Sequence, residues 1–173
     1  REIREGLAFA KSHAVIRTNL LSMAVVSGLV MNFGTYGPLF ADRVLHQGIE
    51  GFGSILFAIG AGSLAGGLLC AAGRKQRSQR FLFTAALACG VFLLAVSRTS
   101  LYAPALALFA ALGFCVILFL IHCNTAIQMA CPPQVLGRIM SLYSFVFLGS
   151  APFGSLFVSS VIEMAGTPDG LSA

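Results

Sequence analysis

Long charge-free stretches separated by short polar clusters dominate the chain. Apolar stretches cover residues 18–41, 51–73, 81–97 and 139–162, and a longer one, 99–137, is interrupted by Pro132 and Pro133. A membrane-spanning α-helix needs about 20 apolar residues, at about 1.5 Å of rise each. The pattern therefore predicts five spanning helices, over about 18–41, 51–73, 81–97, 101–130 and 139–162.

The stretches lack the apolar-polar alternation of a membrane β-barrel, whose strands are about 10 residues long. Backbone groups in lipid must satisfy their hydrogen bonds within the chain, and a helix does this. We therefore predict an all-α integral membrane protein. Residues 1–17 form a cytoplasmic lead-in, 18–165 the transmembrane helical bundle and 166–173 an extracytoplasmic tail. Apolar and charged residues mix in 2–16, which favours an amphipathic helix, with a plain linker as the alternative.

Composition agrees with this class. Hydrophobic residues make up 57% of the chain and charged residues only 10%, whereas soluble domains carry about 25% charged residues. The net charge of +5 does not indicate nucleic-acid binding, because no aromatic residues are interleaved with the basic clusters for base stacking. Membrane lipid is the expected surrounding.

The basic residues predict the orientation. One side of the predicted bundle holds nine, namely Arg1, Arg4, Lys11, Arg17, Arg74, Lys75, Arg77, Arg80 and Arg138, and the other holds two, Arg43 and Arg98. Cytoplasmic loops are enriched in Lys and Arg. We therefore expect a multi-pass protein of the cell (inner) membrane with a cytoplasmic N-terminus.

Catalytic chemistry has little support in the sequence. The five cysteines form no CxxC pair or zinc-ligand spacing, and there is no phosphate-binding loop or nucleophile elbow. Acidic residues lie at or beyond the ends of the spans. We therefore expect no enzyme activity, catalytic residue, metal or cofactor. An integral membrane enzyme remains a rival, although His122 with Asn124 is too small a catalytic cluster.

Two spans carry packing signals. Gly62 and Gly66 form a GxxxG motif, whose small residues let helix backbones approach closely in lipid. That contact is either static or one that slides during a conformational change. In the last span, Pro152 should kink the helix beside Gly154. The kink either lets the helix flex or allows static close packing against neighbouring helices.

Polar side chains inside spans are costly unless they face protein or water. Asn32 and Tyr36 share a face of the first span, either towards a cavity or in interhelical hydrogen bonds. The fourth span carries four more at helical spacing: His122, Asn124, Thr125 and Gln128. We predict one polar stripe that contacts substrate. His122 is a candidate for proton coupling, with hydrogen-bonded packing as the alternative.

Several segments resemble one transporter family. "EIREGLAFAKSHAVIRTNLL", "GFGSILFAIGAGSLAGGLL", "NTAIQMACPPQVLGRIMSLYSF" and "GSAPFGSL" are similar to the C-terminal half of major facilitator superfamily transporters. The nearest branch is the group related to the enterobactin exporter, also called transmembrane secretion effectors. The resemblance implies a partial C-terminal bundle, helices seven to eleven of a twelve-helix fold. The N-terminal half and the twelfth helix would then be partners.

The same resemblance extends to the loop after the second span. Gly73, Arg74, Lys75 and Arg77 are similar to the basic end of the superfamily's signature loop. The positions where that signature has an acidic and a basic residue hold Cys70 and Ala71. A gating ion pair within the loop is therefore not expected. The loop acts either as a cytoplasmic clasp or as a topology signal.

The functional expectation follows from the resemblance. It implies a fragment of a secondary active transporter that exports small organic molecules, such as a siderophore or a drug, by proton-coupled alternating access. In this fold the substrate lies between the two halves. A rival is a membrane module that does not transport, such as a split or degraded half-transporter.

Overall fold

The computed structural model describes residues 7, 9–30, 33–73 and 79–164. Within these ranges every regular element is an α-helix. The helices are α1 (Ala14–Val30), α2 (Phe33–Arg43), α3 (Gly48–Ala72), α4 (Gln79–Ser97), α5 (Tyr102–Ala130) and α6 (Pro133–Met164). The predicted all-α class is confirmed.

Four of the described helices are long and apolar enough to cross a membrane. They are α3, α4, α5 and α6, the last over Pro133–Leu156. The first predicted span, 18–41, falls on two helices instead. Helix α1 is apolar over the shorter range Ala14–Gly28, and α2 follows after residues 31–32, which lie outside the described ranges. The described part of the bundle therefore has four long apolar helices and one shorter apolar helix.

Two helices begin earlier than the predicted spans. Helix α1 begins at Ala14, inside the predicted lead-in, and α6 begins at Pro133 rather than at Ile139. The Val135 and Leu136 N–H groups donate to the Pro132 carbonyl and start α6. Proline is tolerated in a first helical turn, where its missing N–H costs nothing. The prolines therefore set the start of α6, and Arg138 lies within the helix.

Helix α5 is the centre of the bundle. It packs against α3, α4 and α1, while α6 packs mainly on α1 and α2 packs on α3. The fully buried side chains include Phe109, Leu112, Phe119 and Ile127, all on α5. The outward faces of α3, α4 and α6 carry exposed leucines and phenylalanines instead. That arrangement suits a helix bundle whose outer surface meets an apolar environment.

Helices α3 and α5 cross with backbone-to-backbone contact. A Cβ atom added at Gly62 would collide with the Ala110 carbonyl, and one added at Gly113 would collide with the Ile59 carbonyl. At Gly66 the added atom would lie 2.9 Å from the Phe114 carbonyl oxygen. The Ser63 hydroxyl donates across the same crossing to the Gly113 carbonyl, at 3.2 Å. The glycines allow a separation that any side chain would prevent.

Helix α6 is held by α1. The Ser27 hydroxyl donates to the Phe147 carbonyl at 2.7 Å, and a Cβ atom at Gly28 would lie 3.5 Å from the Ser150 carbonyl oxygen. Helices α5 and α6 contact each other little, although only residues 131–132 connect them. A space therefore opens between α5 and α6.

Candidate substrate site between helices α5 and α6

The space between α5 and α6 is a cleft of about 340 Å³. Its lining side chains come from the C-terminal third of α5 and the first half of α6: Leu120, Ile121, Asn124, Thr125, Tyr143 and Phe147. Asn124 lies six residues before the end of α5, or about 9 Å along the helix axis. The cleft is therefore well inside the length of a spanning helix.

Two polar side chains of α5 are joined by a hydrogen bond at the cleft. The Gln128 amide donates to the Asn124 side-chain oxygen, one helical turn away. Asn124 lines the cleft together with Tyr143 of α6. The two helices therefore both bring neutral polar side chains to the cleft.

The remaining walls are apolar or have satisfied donors. The Thr125 hydroxyl donates back to the Ile121 carbonyl at 2.8 Å, which leaves its oxygen lone pairs as acceptors. Leu120, Ile121 and Phe147 supply hydrocarbon and one aromatic ring. None of the six lining side chains is charged at neutral pH. The cleft can therefore hold an apolar body and offer it neutral hydrogen-bonding groups.

The structure divides the predicted polar stripe between two surfaces. His122 Nδ1 lies 2.7 Å from the Leu118 carbonyl oxygen and 4.0 Å from Cys70 Sγ of α3. Its ring centroid is 4.8 Å from that of Phe81 on α4. Residues two apart on a helix point about 200° apart. His122 therefore faces α3 and α4, whereas Asn124 faces α6.

The hydrogen bond to Leu118 fixes the chemistry of His122. A carbonyl oxygen only accepts, so Nδ1 carries the proton and Nε2 is the acceptor nitrogen in the neutral ring. The predicted proton-coupling role would thus use Nε2, in a partly buried groove away from the cleft. Substrate contact by His122 has no support from the cleft geometry.

Sequence reasoning missed two buried polar residues of α1, namely Ser27, which bonds to α6, and Asn19. Its side-chain oxygen accepts from the Gln79 amide of α4 at 2.6 Å, and its carbonyl accepts from Cys123 Sγ of α5 at 3.5 Å. Asn19 Nδ2 is the only buried side-chain donor or acceptor without a partner in the described ranges. The available signal is an asparagine within the apolar stretch 18–41.

Some predicted residues lie outside what the structure describes. They are Asn32, Arg74, Lys75 and Arg77, together with the side chain of Tyr36 in α2. Gly73 ends α3, and its N–H donates to the Leu69 carbonyl at 3.1 Å. Pro152 is exposed within α6, and Gly154 is buried two residues later. No grouping of three metal-ligating side chains occurs within the described ranges.

A second pocket of about 730 Å³ lies towards the opposite ends of α3 and α5. Glu50, Ser54 and Phe57 of α3 line it together with Leu106 of α5. The Ser54 hydroxyl donates to the Glu50 carbonyl at 3.1 Å. This pocket differs from the cleft in having a carboxylate, which lies in the first turn of α3. It has no connected group of polar side chains like that at Asn124.

Apolar helices of spanning length, packed around α5 beside a cleft that holds neutral polar side chains, are typical of an integral membrane helical bundle. The chain belongs to the transmembrane secretion effector family of the major facilitator superfamily, whose family model matches residues 1–173. This membership indicates a transporter rather than an enzyme. A comparison with curated proteins gave no match, and neither did one with solved structures.

Proposed function

We propose that the chain is part of a secondary active transporter that exports small organic molecules by alternating access. The observation that carries the proposal is the uncharged polar cleft between α5 and α6, in a member of a secretion effector family. An N-terminal half and a twelfth helix of the same transporter would complete the cavity around the substrate. A siderophore or a drug is the expected kind of cargo.

The energy source in this proposal is the proton gradient. The acidic residues of the described helices before α6, Asp42 and Glu50, lie near helix ends and not within a span. We place the proton-carrying carboxylate in the N-terminal half for that reason. His122 is the alternative carrier, since Nε2 is the acceptor nitrogen of its ring.

We further propose the cell (inner) membrane as the location, with the N-terminus in the cytoplasm. The support is the distribution of Lys and Arg, nine on one side against two on the other. In this orientation the connection between α5 and α6 faces the cytoplasm. The same distribution would put the basic residues after Gly73 on the cytoplasmic side, where they would act as a clasp in one access state.

Export of Nile Red, an uncharged dye, from cells expressing the full-length transporter tests the proposal. Asn124→Ala and Gln128→Ala should lower efflux several-fold at equal expression, because each removes part of the polar group at the cleft. Thr84→Ala is a matched control, since Thr84 is exposed on α4 and bonds only within its own helix. Collapse of the proton gradient with a protonophore should stop efflux.

Two results would count against the proposal. Efflux that persists without a proton gradient would exclude proton coupling. A full-length protein that inserts normally but exports no dye would leave the non-transporting membrane module as the better description. His122→Ala separates the two proton carriers, because it should reduce efflux only if His122 itself carries the proton.

A further inference from the structure

We propose that the second pocket, between α3 and α5 at its Glu50 end, binds a small amphipathic organic cation. The ligand has a positively charged nitrogen beside the Glu50 carboxylate and an apolar body beside Phe57. This site is separate from the cleft between α5 and α6, because the two share no lining residue. The inference therefore goes beyond the proposed function and does not depend on it.

The α3 wall of the pocket follows one face of the helix. Glu50, Gly53, Ser54 and Phe57 line it, and residues three, four and seven apart lie on the same side of a helix. Glu50 and Phe57 are two turns apart, or about 10 Å along the helix axis. The pocket is therefore long enough to hold a charged group at one end and a ring system at the other.

The charge of the pocket comes from one residue. Glu50 is the only charged side chain among the described residues that line it, and its carboxylate has no ion pair or hydrogen bond with another described residue. It lies in the first turn of α3, where the helix dipole favours negative charge. A cation is attracted to this end, and an anion is repelled. An uncharged occupant would displace water from the carboxylate and offer it nothing in return.

The rest of the pocket is apolar and open. Phe57 is 78% exposed, and Leu106 and Ala107 supply the α5 wall. A Cβ atom added at Gly53 would meet nothing within 4 Å, so the space between Glu50 and Phe57 is unfilled. The volume of about 730 Å³ lies within the range of small-molecule pockets, about 300–1,000 Å³. An apolar body can bury its surface here while its charged end stays at the helix end, near water.

A phospholipid is a poorer occupant than a simple amphipathic cation. Its phosphate would lie close to the Glu50 carboxylate, and none of the described lining residues is basic. The Ser54 hydroxyl already donates to the Glu50 carbonyl at 3.1 Å, so it cannot also donate to a phosphate. A cation without an adjoining phosphate avoids this repulsion.

Binding of tritiated naphthylmethyl trimethylammonium to the full-length transporter in phosphatidylcholine nanodiscs tests the inference. The competitors are neopentylnaphthalene, in which a carbon replaces the charged nitrogen, and naphthylmethanesulfonate, an anion. We expect saturable binding above that of empty nanodiscs. The unlabelled cation should displace the label at a concentration about fivefold or more below that of either competitor, because only the cation pairs with a carboxylate.

One pair of variants tests the charge. Glu50→Gln keeps the size of the side chain and removes its charge, so it should weaken cation binding about fivefold. Asp42→Asn is the matched control, since it removes an exposed carboxylate of α2 that does not line the pocket. This variant should bind the cation as the wild type does.

A second pair tests the space. Gly53→Leu places a side chain in the open part of the pocket, so it should weaken cation binding about tenfold or more. Gly60→Leu is its control, because a Cβ at Gly60 also meets nothing within 4 Å, and Gly60 does not line the pocket. The two leucines are on the same helix, so an effect on α3 itself would appear in both variants.

Four results would overturn the inference. Absence of saturable binding by the wild type would mean that a lipid or a basic side chain of the N-terminal half fills the pocket. Equal displacement by neopentylnaphthalene would mean that the pocket is an apolar groove. Wild-type affinity in Glu50→Gln or in Gly53→Leu would place the cation elsewhere. Loss of Nile Red export would refute only the proposed transport, because binding is measured here without export.

Discussion

Two faces of α5 behave in opposite ways. Towards α3, the helix presents Ala110 and Gly113 at a crossing so close that a single added carbon would strike a carbonyl group. Towards α6, it presents Asn124 and Thr125 to an open cleft. The crossing gains dispersion contacts along two backbones. The cleft leaves polar groups available for a ligand, so one helix joins a close backbone contact to an open site.

The difference shows that residue size and residue polarity have separate uses in this bundle. Small residues occur where backbones touch, and neutral polar residues occur where α5 and α6 separate. Helix α6 is supported by α1 through Ser27 and Gly28. The cleft can therefore stay open without leaving α6 unsupported.

The largest expected effect is loss of stability when the crossing is filled. Gly62→Ala should lower the free energy of unfolding by about 1–3 kcal/mol, because its Cβ would meet the Ala110 backbone and cannot be relieved by a side-chain rotation. Gly60→Ala is the matched control, since a Cβ there meets nothing within 4 Å. Thermal unfolding of the detergent-purified protein, followed by loss of the monodisperse peak, measures both. Equal losses for the two variants would show that the crossing is not tight.

Filling the cleft should lower export and leave the stability of the protein unchanged. Thr125→Phe places an aromatic ring in the open space, so Nile Red export should fall about tenfold or more. Stability should change by less than about 0.5 kcal/mol, as for a surface substitution, because Thr125 is exposed. Thr84→Phe, on the exposed face of α4, should change neither quantity. A large loss of stability with Thr125→Phe would mean that the cleft is closed in the folded protein.

A smaller effect is expected where α1 supports α6. Ser27→Ala removes the hydrogen bond to the Phe147 carbonyl, and such bonds between membrane helices are worth about 0.6 kcal/mol on average, at most about 1.7 kcal/mol. The control is Ser97→Ala, whose hydroxyl is exposed and bonds within its own helix. Thermal unfolding of the two variants compares them. No difference between them would mean that α6 is positioned by some other contact.

The smallest effect concerns Cys131, in the connection between α5 and α6. Burial raises the pKa of the Cys131 thiol, so less of it is the reactive thiolate at a given pH. Maleimide labelling of a variant that keeps only this cysteine should therefore reach half-maximal rate at a higher pH than the same thiol in SDS. Matching pH profiles would show that the connection between α5 and α6 is already open to water.

Much of the fold follows from the charge pattern. The predicted span 81–97 matches α4 (Gln79–Ser97), and 101–130 matches α5 (Tyr102–Ala130), because charged residues rarely lie within lipid-crossing helices. Helix α6 begins at Pro133, ahead of the predicted span 139–162, because Pro132 and Pro133 start the helix before Arg138. The helices within the first predicted span, 18–41, were harder to predict. Gly37 and Pro38 lie in its second half, where the structure has the separate helix α2.

The candidate site was only partly predictable. The spacing of Asn124 and Gln128 indicated a shared helix face, and the structure joins them by a hydrogen bond. Tyr143 could not be found in this way, because it lies on α6 and shares the cleft with Asn124 only in the folded bundle. The role of Asn19 likewise depends on its hydrogen bonds with Gln79 of α4 and Cys123 of α5, which lie far away in the chain.

The sequence by itself determined that the chain is an all-α membrane protein, since 10% charged residues cannot cover a soluble surface. It also determined which residues of α5 are polar. Only the tertiary structure decided that His122 faces α3 and α4 while Asn124 faces α6 and Tyr143. The spacing along one helix fixes the angle between two side chains, but the placement of the neighbouring helices decides what each side chain meets.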